Sequence, residues 1–209
     1  MDHRLPRAAY QYYLVLDFEA TCWDSKKERS RKPQEIIEFA VLKVNSKTFQ
    51  TEAEFHQFVR PVVHPHLSSF CTELTGISPE KLIGKPDLRT TLQLFHMWMR
   101  DEGLLKNGVT SCFVTFGSCD LKRMLPSQCE YFRIPCHSYF NKWIDIQTVY
   151  HSLTSRGKCV GLVRMLNELN LRPVGRHHSG IDDARNTAHI LKKLSTAQPY
   201  IIATTALEF

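Results

Sequence analysis

Asp17 and Glu19, two carboxylates two positions apart in the run D-F-E, close an apolar, β-prone stretch. Side chains alternate along a strand, so both acids share one face and Phe18 takes the other. Aligned there, they repel each other and lose hydration, which raises both pKa values unless a cation neutralises them. A hard-metal site with oxygen ligands is one answer. The other is a strand that ends at solvent with both acids hydrated, and for D-x-E alone that plainer answer wins.

Further along the chain are groups that could complete such a site. Asp120 follows the apolar run S-C-F-V-T-F (111–116) across Gly117, where a strand meets the next helix. Substrate sites favour such edges in α/β folds, yet an aspartate ahead of L-K-R-M-L equally fits a helix N-cap. In H-S-G-I-D-D, His178 precedes a helix and Asp183 sits in its first turn, so a loop imidazole and a first-turn acid can converge on one point. Asp182 and Asp183 could instead cap the helix and answer its dipole, with His178 at the surface; Asp182 suits that structural role better and leaves Asp183 free. As a set, the four acids offer hard oxygen ligands for two Mg²⁺ ions, and the histidine offers a titratable base. Two such metals about 3.5–4 Å apart stabilise the attacking and leaving oxygens of a phosphodiester and acidify the attacking water. An imidazole with a pKa near working pH can accept that water's proton.

The elements that must position these groups follow from periodicity. Residues 12–18, 35–44 and 54–60 read as strands with short connections,. Residues 67–74 and 88–100 place apolar side chains three and four apart, as amphipathic helices do. Residues 111–116 return to strand, and residues 121–132, 143–153, 161–169 and 182–194 read as helices, the last with acids at its start and Lys192 and Lys193 at its end,. This order predicts an α/β layer structure with a mixed sheet covered on both faces. No repeat or low-complexity tract divides the 209 residues, so the expectation is a single domain over 1–209, with its core at about 12–195, a frayed start and a loose tail after Gln198.

Composition excludes other classes. No run of about 18 apolar residues is present to span a bilayer, and the N-terminal stretch is polar and basic, so a soluble protein of the cytoplasm, the nucleus or both is expected. Seven cysteines, with no C-x-x-C pair and no histidines at zinc spacing, read as reduced thiols, mostly buried,. Of the formal charge of +6, residues 26–32 (K-K-E-R-S-R-K) carry five basic groups against one acidic, a net +4. Such a run is usually a solvated loop; its place after D-F-E also suits contact with phosphates.

Four motifs carry a resemblance: D-F-E-A-T-C-W (17–23), P-Q-E-I-I-E-F (33–39), F-C-T-E-L-T-G-I (70–77) and H-S-G-I-D-D (178–183). Over residues 12–194 the chain resembles the Eri-type 3′-to-5′ exoribonucleases, the 3′ histone-mRNA exonuclease family of the DEDDh class. The resemblance implies a ribonuclease-H-like fold with a mixed five-stranded sheet flanked by helices. It also implies two Mg²⁺ ions, replaceable by Mn²⁺, held by Asp17, Glu19, Asp120 and Asp183, with His178 as general base and Glu19 among the catalytic groups. By the same resemblance, Glu19, Ala20 and His178 surround the terminal nucleotide, and Leu74 and Thr75 wedge against its base; on physical grounds alone, Leu74 could equally be a core residue of a short helix. Two positions depart from the family pattern. Cys119 stands where a tryptophan usually precedes the third acid, removing an aromatic surface near the substrate. His177 stands where proline is common, which adds an imidazole and frees a φ angle.

The activity implied is release of 5′-mononucleotides from the 3′ end of single-stranded RNA or a 3′ overhang, with DNA as a further substrate, by a monomer with no membrane association. Two alternatives stand beside it. One is a ribonuclease-H-like endonuclease, which the placing of His178 before Asp183 argues against. The other is a nucleic-acid-binding adaptor with weak or no catalysis, suggested by Cys119, His177 and the basic run.

Overall fold

The computed structural model describes residues 10–29, 33–154, 160–197 and 205–206. Three strands, β1 (Tyr12–Ala20), β2 (Ile36–Asn45) and β3 (Thr51–Phe58), form an antiparallel meander. A short helix, α1 (Lys26–Arg29), lies between the first two, within the basic run whose residues 30–32 fall outside the described residues. Helices α2 (Ser69–Thr75), α3 (Pro79–Leu82) and α4 (Leu88–Asp101) then carry the chain to β4 (Ser111–Thr115), which pairs parallel to β1. A π-helical turn, Asp120–Met124, leads into α5 (Leu125–Tyr131). After it come β5 (Lys142–Asp145), parallel to β4, and the helices α6 (Ile146–Thr154), α7 (Leu162–Glu168) and α8 (Gly180–Ala197). Strand order is β3-β2-β1-β4-β5-β6, so the mixed five-stranded sheet is present and gains a two-residue edge strand, β6 (Thr205–Ala206), antiparallel to β5. The predicted loose tail thus contains a paired segment.

One element differs from the periodic reading. Residues 143–153 read as one helix, but the chain is extended through Asp145 and helical only from Ile146. The run Trp143–Ile144 is too short for periodicity to separate strand from buried helix. Asp145 marks the boundary, because its Oδ1 accepts the backbone N–H of Gln147 at 2.9 Å, as an N-cap does,.

The sheet divides the interior in two because side chains alternate along each strand. On one face Tyr13, Val15, Ala40, Leu42 and Val114 pack with residues of α6, α7 and α8. On the other, Leu14, Leu16, Phe39 and Val41 pack with α4 and α5, around Phe95 and Trp143, both fully buried. Asp17 and Glu19 continue the Tyr13–Val15 face, which directs them toward α8. That sharing of a face is the expectation drawn from D-F-E.

Candidate active site

Three of the acids come together at the carboxyl end of β1. Asp17 is in register with Ala40, and Glu19 lies directly opposite Glu38 on β2. Pairing is irregular between Glu19 and Ala20, and bulges of this kind commonly re-aim side chains beside sites. Asp183, in the first turn of α8, brings its carboxylate to the same point, and ligand oxygens of Asp17, Glu19 and Asp183 all lie within 4.8 Å of one another. Asp120 adjoins them from the π-helical turn after β4; it is the strongest charged influence on Asp17, and the backbone of Phe18 in β1 draws its own pKa down against the larger effect of burial. The fold therefore gathers all four sequence-predicted acids. Gly180 makes the close approach possible, since a Cβ there would stand 3.3 Å from the Asp17 carbonyl oxygen and 3.2 Å from the Glu38 carboxyl carbon.

Electrostatics at this cluster are unfavourable without a cation. Burial, then the charges of Glu38, Asp183 and Asp120, push Glu19 from 4.5 up to about 8. Burial likewise takes Asp120 from 3.8 to about 7. Asp17 is held well above the usual carboxylate range by desolvation first and by Asp120 and Glu19 next. Among the described residues no lysine or arginine pairs with these three acids. Buried carboxylates with oxygen donors converging and no basic partner suit a hard divalent cation, and the residues present fit one.

His178 stands at the rim, half-buried, with φ of 64°. Its backbone N–H donates to Asp183 Oδ2 at 2.9 Å. The His177 ring stacks on the His178 ring at 4.0 Å between centroids, and His177 Nδ1 lies 3.0 Å from Asp183 Oδ2. Burial, and then His177, lower the His178 pKa, with Asp183 opposing them. Asp182 serves the loop and the helix instead, since its carboxylate accepts the Arg176 backbone N–H at 2.9 Å and pairs with Arg185 at 3.0 Å.

The predicted nucleotide contacts lie alongside. Ala20 is buried, and its carbonyl accepts from the Cys71 thiol of α2. Thr75 is buried too; its hydroxyl donates to the Cys71 carbonyl at 2.8 Å and accepts from Ile77 N at 3.1 Å, which commits it to the end of α2. Leu74 is half-exposed and lies outside the three buried apolar clusters. Cys119 is exposed, with the Arg123 guanidinium on its sulfur at 3.1 Å. Of the cysteines described, all are free thiols; Cys71, Cys112 and Cys129 are buried, and Cys159 lies outside the described residues.

Two residues of the site went unread in the sequence. Glu38, 2% exposed, accepts the first backbone N–H groups of α8, from Gly180 at 3.0 Å and Ile181 at 3.2 Å, and contacts His56 Nε2 at 2.8 Å. The helix start thus depends on a carboxylate from β2 rather than on Asp182. An acid inside the apolar run E-I-I-E-F was the available signal, because a buried carboxylate must find donors. Arg176 donates from its guanidinium to the carbonyls of Glu73 and Leu74, while its backbone N–H holds Asp182, so it ties the end of α2 to the loop of His178. Nothing in its local sequence marks that span.

Comparison with known proteins agrees with this geometry. The profile of the family described as Exonuclease (RNase_T) matches residues 14–191. The chain is 47% identical over 190 residues to ERI1 exoribonuclease 3 of Homo sapiens, covering 91% of this chain and 55% of that protein. It is 36% identical over 202 residues to the 3′-5′ exonuclease Snipper of Drosophila melanogaster, covering 91% and 72%. The crystal structure of the nuclease domain of 3′hExo, a DEDDh family member bound to rAMP, superposes with a TM-score of 0.90 at 29% identity, over 97% of this chain and all of that one. The chain spans about half the length of the ERI1 exoribonuclease 3 proteins it matches. With the sheet order, the gathered acids and these likenesses in agreement, the chain belongs to the exonuclease family, in its Eri-type branch.

Proposed function

We propose that this chain is a 3′-to-5′ exonuclease that shortens single-stranded RNA or a single-stranded 3′ overhang one nucleotide at a time, with DNA as a second substrate. The observation that carries the reading is the convergence of Asp17, Glu19 and Asp183 within 4.8 Å, with Asp120 beside them and no lysine or arginine partner among the described residues. The exonuclease domain is assigned to residues 1–209, with its core at about 12–195. Two Mg²⁺ ions, or Mn²⁺ in their place, would neutralise the four carboxylates and stabilise the charge that develops on the phosphate oxygens. Every other role belongs to the chain. Neutral His178 accepts a proton from the attacking water, whose oxygen bonds to phosphorus as the bond from phosphorus to the 3′ oxygen breaks. The departing 3′ oxygen takes a proton from solvent water, so the products are a 5′-mononucleotide and a strand one residue shorter with a free 3′ hydroxyl.

Glu19 and the backbone at Ala20 would flank the terminal nucleotide and half-exposed Leu74 would press on its base, a reading supported by the tie of α2 to the histidine loop through Arg176. Beyond the acids, an open groove lined by Ser118, Cys119, Lys122 and Arg123 meets a second that shares Arg123 and includes Tyr131 and Gln34. Exposed cations followed by an exposed aromatic ring suit the backbone and bases of a single strand. A monomer suffices for all of this. Its working compartment is assigned to the cytoplasm or nucleus, where RNA is found, and among the described residues no helix is long and apolar enough to cross a membrane.

The test uses a 5′-labelled oligoribonucleotide and its circular counterpart. With Mg²⁺ the linear strand should shorten in single-nucleotide steps from its 3′ end, and the circle should remain intact. His178→Ala should slow shortening by about 10²–10⁴-fold, the share a positioned general base contributes, while still binding Mn²⁺. Cleavage of the circle, or full activity in His178→Ala or Glu19→Gln, would refute the assignment.

A further inference from the structure

The chain carries two adjacent imidazoles on one carboxylate, and the exonuclease reading uses only one of them. His177, His178 and Asp183 each offer a ligand atom, and these atoms lie within 4.8 Å of one another. Neighbouring side chains on extended backbone point to opposite sides, but the left-handed φ of His178, 64°, turns the chain so that both rings face the same way,. They stack at 4.0 Å with 24° between planes. Among the described residues neither ring nitrogen of His178 has a hydrogen-bond partner, and His177 reaches only Asp183, at 3.0 and 3.2 Å. The His177 side chain is 43% exposed, so an ion can reach it from solvent and the ring has room to turn its lone pair toward a shared centre.

Two imidazoles and one carboxylate form a different donor set from the oxygen cluster beside them. Imidazole nitrogen suits zinc-class and copper-class ions, whereas Mg²⁺ prefers oxygen. Three protein ligands with a fourth position left to water make the usual shape of an open zinc site. We propose that His177, His178 and Asp183 form a binding site for a zinc-class ion, and that this ion blocks the nuclease by taking both Asp183 and His178. The binding half stands on the three side chains alone; the blocking half rests on the exonuclease reading. Both ions claim Asp183, so each weakens the other's hold on the protein, and the trio would make the enzyme sensitive to free zinc in the presence of abundant magnesium.

The experiment measures Zn²⁺ uptake by the full chain against a chromogenic chelator in millimolar Mg²⁺, for the wild type, His177→Phe and Asp183→Asn. Phenylalanine keeps a stacking ring and removes the donor, and circular dichroism verifies that each variant is folded. One equivalent should bind the wild type, and loss of a ligand should weaken binding by at least about tenfold, since even outer partners of a ligand are worth 10–100-fold. Co²⁺ serves as a spectroscopic probe because the chain has six free thiols among its described residues. Tetrahedral visible bands without a thiolate charge-transfer band would support the trio. Unchanged Zn²⁺ affinity in His177→Phe, or a thiolate band that accounts for the bound metal, would overturn it. Inhibition is then read for each variant relative to its own Zn²⁺-free rate, and His177→Phe should need at least about tenfold more Zn²⁺ for half-inhibition. Equal zinc sensitivity would remove the blocking half. A protein with no Mg²⁺-dependent turnover would refute the exonuclease reading, while the binding isotherms would still decide the metal site.

Discussion

At the scale of single residues, the site is an arrangement that folding opposes and a cation rewards. Glu19, raised from 4.5 to about 8, and Asp120, raised from 3.8 to about 7, hold protons in the folded chain that the unfolded chain has already released. At these two sites the native state therefore binds more protons between about pH 4 and pH 8, and their contribution to stability falls as pH rises through that window. Below it both states are protonated and the effect vanishes; above it the full cost of ionising buried acids is present. Metal-free protein should accordingly lose melting temperature from pH 5 to pH 8, and Mg²⁺ should restore more of it at pH 8 than at pH 5, because the ion binds the ionised form. Glu19→Gln should flatten the metal-free slope. A metal-free melting temperature that rises over this range would contradict the placement of these acids.

At the scale of elements, strand β2 orients helix α8. Glu38 occupies the strand position opposite Glu19 and caps the Gly180 and Ile181 N–H groups, so it sets where Asp183 and the His178 loop stand relative to β1. Glu38→Ala would leave two buried donors unpaired, at about 1–3 kcal/mol for each unsatisfied group. Chemical denaturation should register that loss. Glu38→Gln keeps an acceptor oxygen and should recover part of both stability and kcat, with KM little changed; equal damage from the two substitutions would show that the capping geometry is not what matters. His56 completes the carboxylate's contacts at 2.8 Å, which explains how an acid tolerates 2% exposure on an apolar strand. On the opposite side of the histidine loop, Arg176 fastens the end of α2, so Leu74 and His178 are joined through one side chain.

At the scale of the whole molecule, the sheet separates a functional face from a structural one. On the face away from the acids, Phe95 is fully buried and meets the rings of Phe39, Phe55, Trp98, Phe113 and Phe140 at 5.0 to 6.2 Å. Phe95→Ala should cost about 3–5 kcal/mol as a cavity in that cluster, measured by urea unfolding. Affinity for Mn²⁺ should hold at temperatures where the variant remains folded, because no carboxylate of the site lies on that face. A large loss of metal affinity in the folded variant would mean that the two faces are coupled through the sheet.

Local pattern was enough for much of this protein. The period-2 alternation of D-F-E determined that Asp17 and Glu19 share a face, and the apolar runs determined the meander, the long helices and the mixed sheet between them. Asp120 and Asp183 were legible as acids at element starts, where capping and metal binding look alike. Only the tertiary structure brought them beside Asp17 and Glu19, because that proximity depends on the distance to a carboxylate on another strand. The same holds for β5, whose short apolar run has no period of its own and becomes a strand by pairing with β4. It holds for the contacts of Glu38 with α8 and of Arg176 with α2, which span more than a hundred residues. It holds for His177 and His178, whose stacked rings depend on one left-handed φ angle. Spacing along the chain encodes which face a side chain takes; which other side chains wait on that face depends on register and crossover, and these are settled by burial of the two cores together.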